Sequence, residues 1–588
     1  MTELTDEQKE FLEAEGRIVL CACPGSGKTF IVGKKLLKYL ETWSYPYRGV
    51  AVLSFTNVAS EEVVHQMSQL SKDALLSVSF SHFIGTLDSF INNFIFLRFG
   101  YLMQSENRKR PHIVFDNYGE FTLISKNSQC NKKGCIQNPN MFHWSDSGLL
   151  RDNQPIDCGV QKKPCVTFKK TMLQKGWATQ REVSALSLRL LKKYPSIAAE
   201  LAYRFPVIII DEAQDTSREQ MEIIDILSSA GTMTTILVGD PDQAIYEWRD
   251  ATPEYFKAKI NAPQWNTMYL TANFRSSQHI CNATAKFSSL LSGKQATTAK
   301  GDHATYPLKP ILLQVNSNRS REDIVNKFKR LCQDNNITLN CDSVAILTRG
   351  KIHSDTNIKN LWQTPETYSL AAATYQWHCA SRKEAFHLCE KALFNMTIDD
   401  VSGKSSNEIK QAVEKRMDYA LWKKSVILLL SLLPSSTFSL REWQQNLTEQ
   451  IEDMQKQSII SIRNQRNASD IIKLKTRTKI GSGYSSEFLN TPLKAFFEKK
   501  STNDITISSV HGVKGESFDA TLLIVDSTRG KTLTPTNLNS APLDNELLRI
   551  AYVAMTRPRK LLMVSIPKQK SSGQLSRFPP DLWEYQEL

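Results

Sequence analysis

The stretch Ala22-Cys23-Pro24-Gly25-Ser26-Gly27-Lys28-Thr29 constrains the fold of this chain more than any other. It follows the apolar run Ile18-Val19-Leu20, which reads as a short buried strand. It precedes Phe30 to Leu40, where Leu and Val recur at helical spacing. A strand, a glycine-rich loop and a helix opening on Gly-Lys-Thr form a phosphate-binding loop. Successive backbone N–H groups make a concave anion nest, and the following helix adds its positive end. Lys28 would reach the outer phosphates, and the Thr29 hydroxyl would hold Mg²⁺. Ala22 stands where the first Gly of the pattern belongs, but the nest is built mainly by Gly25 to Thr29.

The surrounding texture is α/β. Val50 to Phe55 reads as a strand and Ala59 to Leu70 as a helix; Ser77 to Thr86 is a third strand and loop, leading into a helix from Leu87. Strands alternating with helices predict a parallel sheet. From 98 to 205 the chain becomes polar and basic with few clean strand patterns, and is partly helical near Arg181 to Lys193. This reads as an insertion. It carries Cys130, Cys135, Cys158 and Cys165, spaced more loosely than a zinc-ribbon knuckle; four free thiols are expected, with a zinc site as the alternative.

The buried strand Pro206 to Ile210 then runs into Asp211-Glu212-Ala213-Gln214-Asp215, and Thr235 to Val238 into Gly239-Asp240-Pro241-Asp242-Gln243. A second α/β region follows, with strands at Ile311 to Leu313, Val344 to Leu347, Leu522 to Val525 and Leu561 to Ile566. A helical, polar insertion over 363–500 interrupts it. In that insertion Val426 to Pro434 is too short for a membrane span and reads as a buried helix. Lys473, Lys475, Arg477 and Lys479 alternate there as on a solvated edge strand.

At 588 residues several domains are expected. The net charge of +13 is either a solubilising surface or a basic surface for a polyanion. The polar, acidic start is not a signal peptide, and eleven scattered cysteines fit a reducing cytoplasm better than a disulfide framework. A soluble cytoplasmic protein with no membrane association is expected.

Asp211-Glu212 closes an apolar strand, as an acid pair at the ligand-binding edge of an open sheet should. Asp211 can hold the Mg²⁺ water shell, and Glu212 can orient and deprotonate an attacking water. Positive charge on the leaving phosphates would come from Arg275 in Asn273-Phe274-Arg275-Ser276 or from Arg557 in Tyr552 to Arg557, unless either is an ordinary surface ion pair.

Taken in order, these strings resemble a superfamily 1 helicase of the UvrD/Rep/PcrA type. The matching positions are Gln8, Ala22 to Thr29, Ser54 to Asn57, Gly85-Thr86, Asp211 to Asp215, Gly239 to Arg249, Asn273 to Ser276, His511 to Phe518 and Ala551 to Arg557. Val238 to Arg249 is the most specific string. The resemblance implies two RecA-like parallel-sheet lobes, each carrying a mostly helical insertion. The first lobe is 1–97 and 206–265, with its insertion at 98–205. The second is 266–362 and 501–588, with its insertion at 363–500.

It further implies ATP and Mg²⁺ as cofactors. ATP would lie against Ala22, Cys23, Pro24, Gly25, Ser26, Gly27, Lys28 and Thr29. Gln8 would read the adenine edge, and Phe274 would stack on the base where relatives often carry Tyr. Gln243 would sense the γ-phosphate, while Arg275 and Arg557 act as arginine fingers. Glu516 would bind the ribose, although relatives commonly read Lys-Gly-Leu-Glu-Phe where this chain has Lys514-Gly515-Glu516-Ser517-Phe518.

Phe55, Thr56, Asn57, Thr86, Tyr246, Trp248, Arg249 and His511 fall at DNA-contact positions, where aromatic faces stack on bases and polar groups hold phosphates. The implied activity is ATP-dependent 3′–5′ translocation on single-stranded DNA and unwinding at duplex junctions. In its short length and compact second insertion the chain also resembles the helicase-like subunit of Gabija-type bacterial defence systems. That implies an NTP-hydrolysing DNA-end sensor or regulatory subunit beside a nuclease partner of the OLD-family type. A fused nuclease is not expected, since no D…E-x-K cluster follows Arg557.

Overall fold

The structure, a computed structural model, describes residues 4–70, 81–104, 108–114, 142–145, 148–151, 154–155, 164–247, 251–291, 296–349, 362–379, 381–398, 406–414, 416–463, 467–474, 489–497, 505–525, 533–568 and 575–588. They fall into two compact units, one within 1–116, 124–352 and 504–588, the other within 353–503.

The first unit contains two parallel sheets. In the first, β1 (Arg17–Ala22), β2 (Val50–Ser54), β3 (Phe83–Thr86), β4 (Val207–Ile210), β5 (Thr234–Gly239) and β6 (Asn266–Leu270) lie in the order β6-β1-β5-β4-β2-β3. Every neighbouring pair is parallel. The central strands are buried on both faces, so they read as continuous apolar runs rather than alternating ones. Their alternation appears only in the partners. Ile18, Leu20, Ile209 and Val238 pack with Phe11 of α1 (Asp6–Glu13), Ile31, Val32 and Leu36 of α2 (Lys28–Thr42) and Val63 and Met67 of α3 (Asn57–Leu70). Val19, Cys21, Ile208, Ile210 and Leu237 pack on the other face against α4 (Gln180–Lys193) and α5 (Arg218–Ser229).

The second sheet comprises β7 (Ile311–Val315), β8 (Val344–Thr348), β9 (Thr506–Ser509), β10 (Phe518–Ile524), β11 (Pro558–Pro567) and β12 (Glu584–Glu587), in the order β9-β8-β10-β11-β7-β12, again parallel throughout. One face carries α6 (Glu546–Met555), and the other the helix Arg321–Asp334 through Ile324, Phe328 and Cys332.

The polar segment between Arg98 and Phe205 contains more strand than its pattern suggests. His112–Val114 pairs with Trp177–Thr179, and Phe142–Ser145, Gly148–Arg151 and Gln154–Pro155 form a small antiparallel sheet. These strands span two to four residues, too few for alternation to be legible. The helix expected near Arg181 is α4. It opens on a capping box in which Thr179 and Glu182 satisfy each other's backbone N–H groups, and Glu182 also takes the Lys169 ammonium at 3.0 Å. Cys130, Cys135 and Cys158 lie outside the described residues, as does the side chain of Cys165; so do Lys475, Arg477 and Lys479. Lys473 pairs with Asp470 at 3.0 Å.

The second unit is helical. The helices Pro365–Cys379, Arg382–Thr397, Tyr419–Ser431 and Leu440–Lys456 enclose a core that includes Leu370, Cys389, Leu393, Trp422, Trp443 and Leu447. The apolar run from Val426 is not buried all round. Val426, Leu429, Leu430 and Leu433 face the core, whereas Ile427 is 56% exposed, because a helix packed from one side buries one stripe. Among the described residues no helix is long and apolar enough to cross a membrane.

Leu447 is fully buried between Trp443 and Ile451 in this core. Leu447→Ala is expected to destabilise the unit that carries it by about 2–5 kcal/mol, read from the shift of its denaturant midpoint at unchanged slope.

Candidate nucleotide cleft and nucleic-acid face

β1 ends in the phosphate loop. Gly25 and Gly27 adopt φ of 74° and 79°, so the loop reverses and its amides turn inward before α2 begins at Lys28. Gly25 is also a point of close approach: a Cβ there would lie 2.6 Å from Asn273 Oδ1 and 2.8 Å from Arg275 Cβ. That neighbour is the connection leaving β6. Phe274 N donates to Gly25 O at 2.8 Å, and Asn273 Oδ1 accepts from the N–H groups of Arg275 and Ser276 at 2.8 and 2.9 Å. Asn273-Phe274-Arg275 is thereby folded onto the loop. From the other side Gln8, buried in the first turn of α1, shares a capping box with Thr5 and donates to Ser26 O at 3.4 Å.

β4 delivers the acid pair. Asp211 is 2% exposed, and Glu212 follows in a left-handed conformation with φ of 54°, an expensive backbone for a residue with a side chain. The turn aims the Glu212 carboxylate at Lys28, whose ammonium lies 3.9 Å away, and at Lys514, 3.8 Å away. Gln214 also donates to Glu212 and accepts from Asp240 N at 3.1 Å. Burial acts to raise the Glu212 carboxyl, but Lys28 and Lys514 outweigh it and hold it down near 2. Asp211 goes the other way: burial, then the charge of Glu212, push it up to about 7.

The second lobe closes the cleft. Arg557, just beyond α6 and 1% exposed, donates to Gln243 Oε1 at 3.0 Å, Val553 O at 2.9 Å and Glu516 O at 3.4 Å. Gln243 donates in turn to Asp240 Oδ2 at 2.7 Å. Arg275 donates to Thr556 O at 3.1 Å. Burial lowers both guanidinium pKa values, that of Arg557 to about 10, and their mutual repulsion adds to the effect on Arg275. Lys28 Nζ is buried with no hydrogen-bond acceptor, as is Ser26 Oγ. The hydrogen-bond acceptors of Arg275 and Arg557 are neutral carbonyl, amide and hydroxyl oxygens.

Lys28, Arg275 and Arg557 thus keep donor groups without an anionic hydrogen-bond acceptor, and the Glu212 carboxylate lies 3.9 Å from Lys28. Thr29, in the first turn of α2, and Asp211, at the end of β4, are oxygen donors of the kind magnesium takes when substrate phosphates complete its shell. Among the described residues no group of three or more His, Cys, Asp or Glu could hold a metal by itself. Glu516 has an exposed side chain and meets Arg557 through its carbonyl.

Phe55, Tyr246 and His511 come together beside this cleft: Phe55 and Tyr246 rings lie 5.2 Å apart, and Tyr246 and His511 5.9 Å apart. Thr56 caps the start of α3 through Ala59 N, with Asn57 exposed next to it, while Thr86 caps the helix Leu87–Ile91 through Ser89 N. Trp248 and Arg249 lie outside the described residues.

Several residues that carry the geometry had no role in the sequence reading. Lys514 is the foremost. It lies 4.8 Å over the Tyr246 ring, donates to Asp215 and to Gln243 O, and joins the acid pair to the aromatic face. Asn273, Asp215 and Asp240 are others. All four stood inside recognisable strings, but their partners lie elsewhere in the chain.

The family model of the UvrD/REP helicase N-terminal domain matches residues 4–147 and 160–264, and that of the UvrD-like helicase C-terminal domain matches residues 383–569. Among similar proteins are Gabija protein GajB of Bacillus cereus, 28% identical over 281 residues, or 48% of this chain and 48% of that protein, and DNA helicase II of Haemophilus influenzae, 27% identical over 296 residues, or 48% and 39%. The ATP-dependent DNA helicase PcrA of Staphylococcus aureus is 24% identical over 304 residues, again 48% and 39%. The matched stretch thus spans about half the length of these relatives or less. With two parallel sheets built as RecA-like lobes and with both family models matched, the chain belongs to the UvrD-like helicase family.

Proposed function

We propose that this protein is an ATP-hydrolysing 3′–5′ translocase and helicase on single-stranded DNA, acting in the cytoplasm. The observation that carries the reading is that Lys28 in the phosphate loop, and Arg275 and Arg557 from the facing lobe, have neutral hydrogen-bond acceptors or none. Lys28 and the Gly25 to Thr29 backbone bind the β- and γ-phosphates. Thr29 and Asp211 would hold magnesium, which would supply charge neutralisation on the phosphates.

Glu212, kept ionised by its two lysines, orients a water and takes its proton as the oxygen attacks the γ-phosphorus and the bond to the β-phosphate oxygen breaks. Arg275 and Arg557 stabilise the charge that develops, and Gln243 reports it through Arg557. Gln8 faces the base edge, Phe274 its plane and Glu516 the ribose. Tyr246, three residues from Gln243, stacks DNA bases together with Phe55, Trp248 and His511, while Thr56, Asn57, Thr86 and Arg249 hold the backbone. Hydrolysis and strand grip then share one loop. The polarity follows family resemblance.

A second reading is favoured by the match to Gabija protein GajB. In it the same cleft serves an NTP-hydrolysing DNA-end sensor, a regulatory subunit of a nuclease complex in antiphage defence, without processive unwinding.

Hydrolysis measured with and without oligo(dT), and strand separation on 3′- and 5′-tailed duplexes, separate the two. Stimulation by DNA with separation of 3′-tailed substrates is expected. Stimulation without separation on either tail favours the regulatory subunit, and hydrolysis indifferent to DNA sinks the helicase reading. Lys28→Ala should lower hydrolysis by about 100-fold or more. Gly25→Ala, strained in φ and colliding with Asn273, should weaken nucleotide binding at least about tenfold in a fluorescent-nucleotide titration. Trp248→Ala should weaken oligo(dT) binding by about 1–3 kcal/mol while basal hydrolysis changes less.

A further inference from the structure

Between the Gln243 side chain, which meets Arg557, and the Tyr246 ring, on the aromatic face, lie three consecutive carbonyls of the first lobe. Each meets a different side chain of the second. Gln243 O accepts from Lys514 Nζ at 3.0 Å, Ala244 O from Arg549 Nε at 2.7 Å, and Ile245 O lies 3.0 Å from His511 Nε2. Lys514 and His511 belong to the cleft and the aromatic face already described. Arg549 does not. It stands mid-way along α6, 1% exposed, and among the described residues its hydrogen bonds go to Ala244 O, Asp544 O and the Glu247 carboxylate.

All three nitrogens of this guanidinium are used, and its planar fork fixes direction as well as distance. A buried guanidinium pulled off these acceptors would be left unpaired, which is costly, so the loop must follow the helix. The same helix carries Arg557 just beyond its C-terminal end and packs its Leu548, Ile550 and Ala551 into the second lobe's core. A displacement of α6 that brings Arg557 toward or away from the phosphates is therefore transmitted through Arg549 to the backbone of Ala244, two residues before Tyr246.

We infer that Arg549, braced by Glu247, is a positioning residue that locks α6 to the Gln243–Tyr246 loop and couples lobe closure on nucleotide to the DNA-stacking face. The inference rests on the DNA-stimulated hydrolysis proposed above.

The test uses the full chain with Arg549→Gln, Arg549→Lys and Glu247→Ala, in two arms. The first measures ATP hydrolysis with and without oligo(dT). With Arg549→Gln, basal hydrolysis is expected to stay within about twofold of the parent. The stimulation by DNA should fall about tenfold, in the range of a coupling between sites. Arg549→Lys should recover much of it, and Glu247→Ala, at a half-exposed position, should lose part of it. The second arm measures amide hydrogen exchange across 243–247 with and without a non-hydrolysable ATP analogue. The analogue should slow exchange in the parent and not in Arg549→Gln. Full stimulation in Arg549→Gln, or equal loss of basal and stimulated rates that Arg549→Lys does not repair, overturns the inference. Should Arg549→Gln fail to fold, an unchanged stimulation in Glu247→Ala overturns it. A parent not stimulated by DNA removes the proposed function instead, and the exchange arm alone then decides whether Arg549 links nucleotide to the loop.

Discussion

The arrangement depends on a cluster of buried charges at the junction of the two lobes. Lys28, Lys514, Arg275 and Arg557 are brought from four separate parts of the chain into one buried region with Asp211, Glu212, Asp215 and Asp240. Opposite charges removed from water must pair closely to offset the loss of hydration. Lys514 does so with Asp215, and Glu212 is shared between two lysines. Lys28, Arg275 and Arg557 are left short of anionic hydrogen-bond partners. Lys514 and Arg557 also hold the lobes against each other, through the carbonyl and the side chain of Gln243.

The backbone supports that charge distribution with three left-handed residues, of which only Glu212 carries a steric cost. Gly25 and Gly27 turn left-handed to form the nest, and Glu212 turns left-handed to face it. Gly239, at the end of β5, supplies the room next door, since a Cβ there would lie 2.4 Å from Gln214 Oε1 and 3.1 Å from Phe256. Gln214 in turn bridges Glu212 to the Asp240 amide. The ends of β1, β4 and β5 are thus joined by a chain of side chains. A disturbance at the phosphates has a short path to Gln243 and onward to the loop that carries Tyr246.

Much of this was legible in one dimension because it depends on local rules. The apolar runs at Ile18, Val207 and Thr235 announce buried parallel strands, since a strand covered on both faces needs no alternation. The nest and the acid pair involve neighbours in the chain. What escaped was short or distant. The strands around His112, Phe142 and Trp177 are too brief for periodicity, and Ile427 and Leu428 looked like core because composition does not say which face of a helix is covered.

By itself, then, the sequence determined the two parallel-sheet lobes, the phosphate loop and the acid pair at a strand end, because hydrophobic period, glycine conformation and loop chemistry act over a few residues. Only the tertiary structure decided which partner each charge would find. Lys514 lies 299 residues from Asp215, Arg557 314 from Gln243, and Arg549 305 from Ala244. No local preference links such positions. Their pairing is set when two independently packed sheets meet and buried guanidinium and ammonium groups must take whatever oxygen atoms the opposing loop presents.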